Sequence, residues 1–148
     1  MAEYVVADTT VVIRLSRASE DSRAYEQMIG DRWLAVSFQT PPELRDGPFG
    51  ESRRQRLQDY LATMVVLPNT EATGVWYSRV AEKRRDLRKK RQPGADASDA
   101  DVWIVSSALE HRLPLLSHDK QQVELGRAAG LRVLTNLPGL RDDNPPLG

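Results

Sequence analysis

The chain reads as an α/β protein built on a central, mostly parallel five-stranded sheet. Short β-like runs alternate with helical segments along the whole length. The apolar runs are too short to span a membrane. Four carboxylates stand just outside those runs or at helix openings, where open α/β sheets place their sites. They are Asp8 after Tyr4–Ala7, Glu43 in Thr40-Pro41-Pro42-Glu43-Leu44, Asp101 opening Val102–Leu109, and Asp119 after Leu113–His118.

Tyr4–Ala7 is the first expected strand, and Thr9 or Thr10 caps a helix running to about Arg17. A short helix covers Glu20–Ile29, and Trp33–Ser37 is strand two. Thr40, Pro41 and Glu43 then read as N-cap, first position and third position of a helix, the capping-box pattern. Glu43 can therefore either reach back to the Thr40 amide or turn toward a site. Glu51 to Ala62 is helical, Met64–Leu67 is strand three, and Asn69 or Thr70 caps a long helix to about Arg91, ended by Pro93-Gly94.

Asp99–Arg112 has a broad apolar side. If Ser98 caps it, Asp101 falls at its third position and Asp99 at its first, so the two acids point in different directions. Leu113–Ser117 is strand four, Val123–Ala129 a short helix ended by Gly130, and Leu131–Leu134 strand five. Residues 1–140 form one domain, and 141–148 read as a frayed tail.

With 148 residues and no cysteine, the chain has no disulfide framework, thiolate metal site or cysteine nucleophile. The opening residues lack a basic region followed by a long apolar one, and the chain reads as soluble and cytoplasmic, without a membrane role. Formal net charge is zero, against a generic polyanion binder. Charge is nevertheless segregated: Arg79 to Arg91 holds eight basic residues, and Asp96, Asp99 and Asp101 follow with no basic residue among them. A basic stripe beside acids suits a nucleic-acid hydrolase, with Arg84, Arg88 and Arg91 as candidate grips on an RNA backbone. The bland alternative is a solvated helix face.

Clustered carboxylates repel one another, and a hard cation such as Mg²⁺ or Mn²⁺ relieves the repulsion. Such an ion also lowers the pKa of a water and stabilises charge in phosphodiester hydrolysis. A paired-histidine nuclease is disfavoured. His111 falls at a helix end, and His118 lies beside Asp119 with no second imidazole to join it. Trp33 and Trp103 read as core rather than as base-stacking platforms; Trp76-Tyr77, ahead of the basic run, reads as packing or a dimer surface in preference to RNA stacking.

The motifs Asp8-Thr9-Thr10-Val11-Val12, Glu43-Leu44, Asp101-Val102-Trp103-Ile104-Val105-Ser106-Ser107-Ala108-Leu109 and Leu115-Leu116-Ser117-His118-Asp119, in this order, resemble the PIN-domain ribonucleases, specifically the VapC-like toxins of type II toxin–antitoxin systems. The resemblance covers nearly the whole chain. It implies a three-layer α/β/α PIN-like fold and a Mg²⁺- or Mn²⁺-dependent endoribonuclease leaving 5′-phosphate and 3′-hydroxyl ends. It implies Asp8, Glu43, Asp101 and Asp119 as catalytic and metal residues, with Thr10 and Asp99 supporting. It further implies a homodimer silenced by a cognate antitoxin, which would place an Arg or Lys among the carboxylates, or lay a helix between Val11–Arg17 and Arg53–Ala62 over Val12, Leu15, Leu57 and Leu61. The chain departs from the family at Lys120-Gln121-Gln122, where Arg-Asp-Phe is common, and at Thr10, where Ser, Asn or Asp is usual. Rival readings are a PIN nuclease outside a toxin–antitoxin pair and a catalytically silent PIN fold whose carboxylates only cap helices. A receiver-like module is disfavoured because no acidic phosphoacceptor follows strand three.

Overall fold

The computed structural model describes residues 3–147. Met1 and Ala2 of the expected domain and Gly148 of the expected tail lie outside the described residues. In chain order the elements are β1 (Tyr4–Ala7), α1 (Thr9–Leu15), α2 (Glu20–Ile29), β2 (Trp33–Ser37), α3 (Thr40–Asp46), α4 (Glu51–Leu61), β3 (Val65–Leu67), α5 (Glu71–Lys90), α6 (Asp99–Glu110), β4 (Leu115–Leu116), α7 (Lys120–Ala128) and β5 (Val133–Leu134). The strands form one sheet in the order β3-β2-β1-β4-β5. Every pairing is parallel, including Val5 with Leu34 and Val6 with Leu115.

Side-chain alternation along the strands divides the core in two. Val6, Ala35, Leu115 and Val133 pack on one face with Val80, Val105 and Val123, so α5, α6 and α7 cover it. Val5, Ala7, Val36, Leu116 and Leu134 face the other way, against Val12, Tyr25, Leu44 and Leu57 of α1 to α4. The result is the three-layer α/β/α arrangement of a PIN-like fold. Burial on both faces explains why the strands read as nearly continuous apolar runs.

The chain leaves β1 toward β2 and β3, then returns to the opposite side of β1 for β4 and β5. The winding direction thus reverses between β1 and β4. A crevice opens at the carboxyl ends of the strands at such a point, and Asp8 and Asp119 follow these two strands.

Several local expectations are corrected. Thr40 is the first residue of α3 rather than its cap, and that helix start has no side-chain cap bond. The Thr40 hydroxyl instead pairs with the Thr9 hydroxyl at 3.0 Å, so Glu43 closes no capping box. Trp33, expected in the core, is 66% exposed at the start of β2. Val12, Leu57 and Leu61, expected to line an open groove between α1 and α4, are buried core residues. The segment read as a frayed tail also makes specific bonds. Asn144 accepts from the Thr135 amide and from Arg127 and donates to the Thr135 carbonyl, while Arg32 donates to the Leu147 carbonyl. Among the described residues no helix is long and apolar enough to cross a membrane.

Candidate active site

Asp8, Glu43, Asp101 and Asp119 all line one cavity of about 360 Å³, together with Thr9, Thr10 and Gln122. Four separate helix starts supply them: the N-caps of α1 and α7, the third residue of α6, and the first turn of α3. Helix N-termini carry partial positive charge and free N–H groups, so carboxylates are locally stable there.

Asp8 is 1% exposed. One carboxylate oxygen accepts from the Thr10 hydroxyl at 2.7 Å and the Val11 amide at 2.8 Å; the other accepts from the Ser117 hydroxyl at 2.9 Å. Burial pushes its carboxyl up to about 6, against these three hydrogen bonds, with the charge of Asp119 adding to the rise. Glu43 and Asp101 are also raised, first by desolvation. Asp101 adds to the rise at Glu43, where the Thr9 hydroxyl opposes it, and Asp119 adds to it at Asp101. The cavity therefore resists the charge its own residues carry.

Asp101 accepts from the Ser98 amide at 2.9 Å, completing a capping box, and from the Gln122 side chain at 3.0 Å. Asp119 accepts from the Gln122 backbone amide at 3.0 Å. Two further site residues, Ser117, fully buried, and Gln122, 1% exposed, do not stand out in the sequence. A signal for Gln122 was present, since Asp119-x-x-Gln122 has capping-box spacing. Ser117 offered none, because its contact with Asp8 spans 109 residues.

The donor set suits a hard divalent cation. It is all oxygen, and the environment disfavours its uncompensated charge. Among the described residues, however, no three Asp, Glu, His or Cys side chains stand close enough to hold one ion as placed. Asp8, Asp101 and Asp119 each keep their own helix-start bonds, so ligating one ion through three carboxylates requires side-chain movement.

Several expected helpers are elsewhere. Asp99 does not line the cavity; it pairs with Arg84 at 2.9 Å, outside the acid cluster. Arg84, expected to grip RNA, is 8% exposed and donates to the Ala97 carbonyl at 2.9 Å as well as to Asp99. It ties α5 to the start of α6 and is not available to a phosphate. Arg88 likewise donates to the Ala95 carbonyl at 2.9 Å. Arg91 is exposed and ends α5 in the left-handed conformation, φ 52°. His118 turns away toward α2, its Nδ1 2.6 Å from the Tyr25 hydroxyl; burial and Arg14 hold its pKa below the usual imidazole value, with Asp21 opposing. His111 is the C-cap of α6.

The sheet order and the position of the acid-lined cavity define a PIN-like α/β fold with a candidate acidic site. The structure is similar to a chain of the VapBC2 complex from Rickettsia felis bound to a promoter DNA fragment, with a TM-score of 0.67 and 14% identity over 89% of this chain and 98% of that one. It is similar to a chain of VapBC-1 from nontypeable Haemophilus influenzae, with a TM-score of 0.66 and 23% identity over 89% and 97%. It is also similar to a chain of VapBC-5 from Mycobacterium tuberculosis, described as a member of the VapBC family of toxin–antitoxin systems, with a TM-score of 0.66 and 23% identity over 90% and 98%. No family model matches the chain, and no curated protein is similar to it in sequence.

Proposed function

We propose that the protein is a Mg²⁺- or Mn²⁺-dependent endoribonuclease, the VapC-like toxin of a toxin–antitoxin pair. The observation that carries this reading is the convergence of Asp8, Glu43, Asp101 and Asp119 on one cavity at the switch point of a parallel sheet. The likeness to chains of VapBC complexes supports the fold context.

A divalent cation held by the four carboxylates would supply charge neutralisation at a phosphodiester and activation of a water. The chain's own groups would prepare the site. Thr10 and Ser117 fix the Asp8 carboxylate, and Gln122 aligns Asp101 and Asp119. Hydrolysis would leave a 5′-phosphate and a 3′-hydroxyl. A cognate antitoxin would silence the enzyme, and an Arg or Lys inserted among the carboxylates would relieve the same charge as the metal. A homodimer is supported by exposed apolar residues at the sheet edge, where Val65 and Val66 are each 45% exposed.

The test is cleavage of RNA by the purified protein in Mn²⁺, with sequencing of the new 5′-phosphate ends, and Asp8→Asn as control. Growth arrest on expression, reversed by an adjacent antitoxin gene, tests the toxin assignment. RNA left intact by a folded, Mn²⁺-binding protein would overturn the nuclease reading. One observation favours a second reading, a silent PIN fold: three of the carboxylates already serve as helix caps, and no three are close enough to share an ion as placed. Thermal stability unchanged by Mn²⁺ would favour it.

A further inference from the structure

A second feature lies at the far end of α6 from the acid cluster. Two cavities meet at Trp76 and Leu109. The larger, about 360 Å³, is bordered by Arg112 and Arg132 over an apolar floor that includes Leu113 and Leu131. The smaller is bordered by Arg79 and Lys83. The larger falls within the range of ligand pockets, roughly 300–1,000 Å³.

Four basic residues and no acidic one border this groove. Arg79 stands over the Trp76 ring at 4.8 Å, and Arg112 and Arg132 also border a neighbouring cavity that Glu3 and Asp31 line. Glu110, the acid nearest to Leu109 in sequence, is occupied by the Thr70 and Thr73 hydroxyls. Arg79, Arg112 and Arg132 are exposed, and Trp76 is half-buried.

We propose that this groove binds single-stranded RNA, with Trp76 as the stacking platform for a base and Arg112, Arg132, Arg79 and Lys83 receiving the flanking phosphates. A planar π-face between cations is the combination single strands require: stacking tolerates any base, and the cations track the backbone. A second copy of the chain is a poor occupant. A two-fold interface would set this patch against itself, four positive charges facing four. Leu109 lies eight residues along α6 from Asp101, about 12 Å at the α-helical rise, so one strand can occupy the groove and approach the acid cluster. The groove is an accessory site for the RNA reading above, and its binding needs neither a metal nor cleavage.

The experiment measures fluorescence anisotropy of a labelled uridine 20-mer with the full chain in EDTA, across a salt series, for wild type and Asp8→Asn. Both should bind, whatever their activity. Arg112→Ala/Arg132→Ala should weaken binding at least tenfold and reduce the log–log salt slope by up to about 0.7 for each phosphate left unneutralised. Trp76→Ala should weaken binding about tenfold while Trp76→Phe retains most of it. Unchanged affinity and slope in the double variant, whose two sites are exposed and leave the fold intact, would overturn the proposal. Displacement of the RNA by polyglutamate as readily as by unlabelled RNA would also overturn it, assigning the groove to an acidic protein partner. Loss of cleavage with RNA binding retained would count against the catalytic reading alone.

Discussion

Gln122 donates its buried side-chain amide to the Asp101 carboxylate at 3.0 Å, while its backbone amide donates to Asp119 at the same distance. One residue thus sets two of the four site acids relative to each other, linking the starts of α6 and α7. Its side-chain oxygen is buried with no partner among the described residues, an uncommon cost for a buried amide.

Gln122→Leu keeps the backbone bond to Asp119 and removes the restraint on Asp101. Loss of a hydrogen bond that orients a metal ligand costs roughly 10–100-fold in affinity. Titration calorimetry with Mn²⁺ is expected to read a loss in that range, with the fold retained by circular dichroism. Wild-type affinity would remove Gln122 from the site.

Asp8 gives the metal-free protein a defined pH dependence. Its folded pKa of about 6 lies above the ordinary aspartate value of 3.8, so the native state binds the proton more tightly than the unfolded chain. Its contribution is fully present below about pH 4 and lost as pH rises through about 6, on the order of 3 kcal/mol for a shift of this size. Urea denaturation in EDTA should show Asp8→Asn more stable than wild type at pH 7, with the difference shrinking toward pH 4. A constant difference across that window would contradict this linkage.

Arg84 is a structural arginine, so Arg84→Met should destabilise by about 2 kcal/mol, through the lost bond to the Ala97 carbonyl and the altered packing. The Asp99 side chain is 76% exposed, and Asp99→Asn should cost under about 1 kcal/mol. Denaturant midpoints for both variants check the contrast; equal costs would mean that the ion pair, not the carbonyl bond, anchors the loop.

Gly94 has φ +96°, and a Cβ there would stand 2.8 Å from the Leu125 backbone nitrogen. Backbone cannot yield as a flexible side chain would, so Gly94→Ala should lose on the order of 2 kcal/mol or more. The loop joining α5 to α6 passes directly over α7 at this point, and a thermal melt within about 1–2 °C of wild type would contradict that close approach.

By itself the sequence determined what depends on near neighbours. Apolar runs followed by helix starts were legible because strand and helix periods are local, and β1, α2 and β2 fall where the pattern places them. Ser98 and Asp101 form their capping box because both partners lie within one turn. Asp8, Glu43, Asp101 and Asp119 were legible as site candidates because each interrupts a local pattern that packing alone does not require. Tertiary structure decided whatever depends on distant partners. Arg84 looked like a grip on an RNA backbone until the returning chain brought the Ala97 carbonyl to it, and Trp33 looked buried until β2 placed its first residue at the exposed end of the sheet. Thr40 looked like a cap until Thr9, 31 residues earlier, met its hydroxyl. Ser117 meets Asp8 only because β4 pairs with β1, a pairing set by burial on both faces of the sheet and not by any signal within a few residues of Ser117.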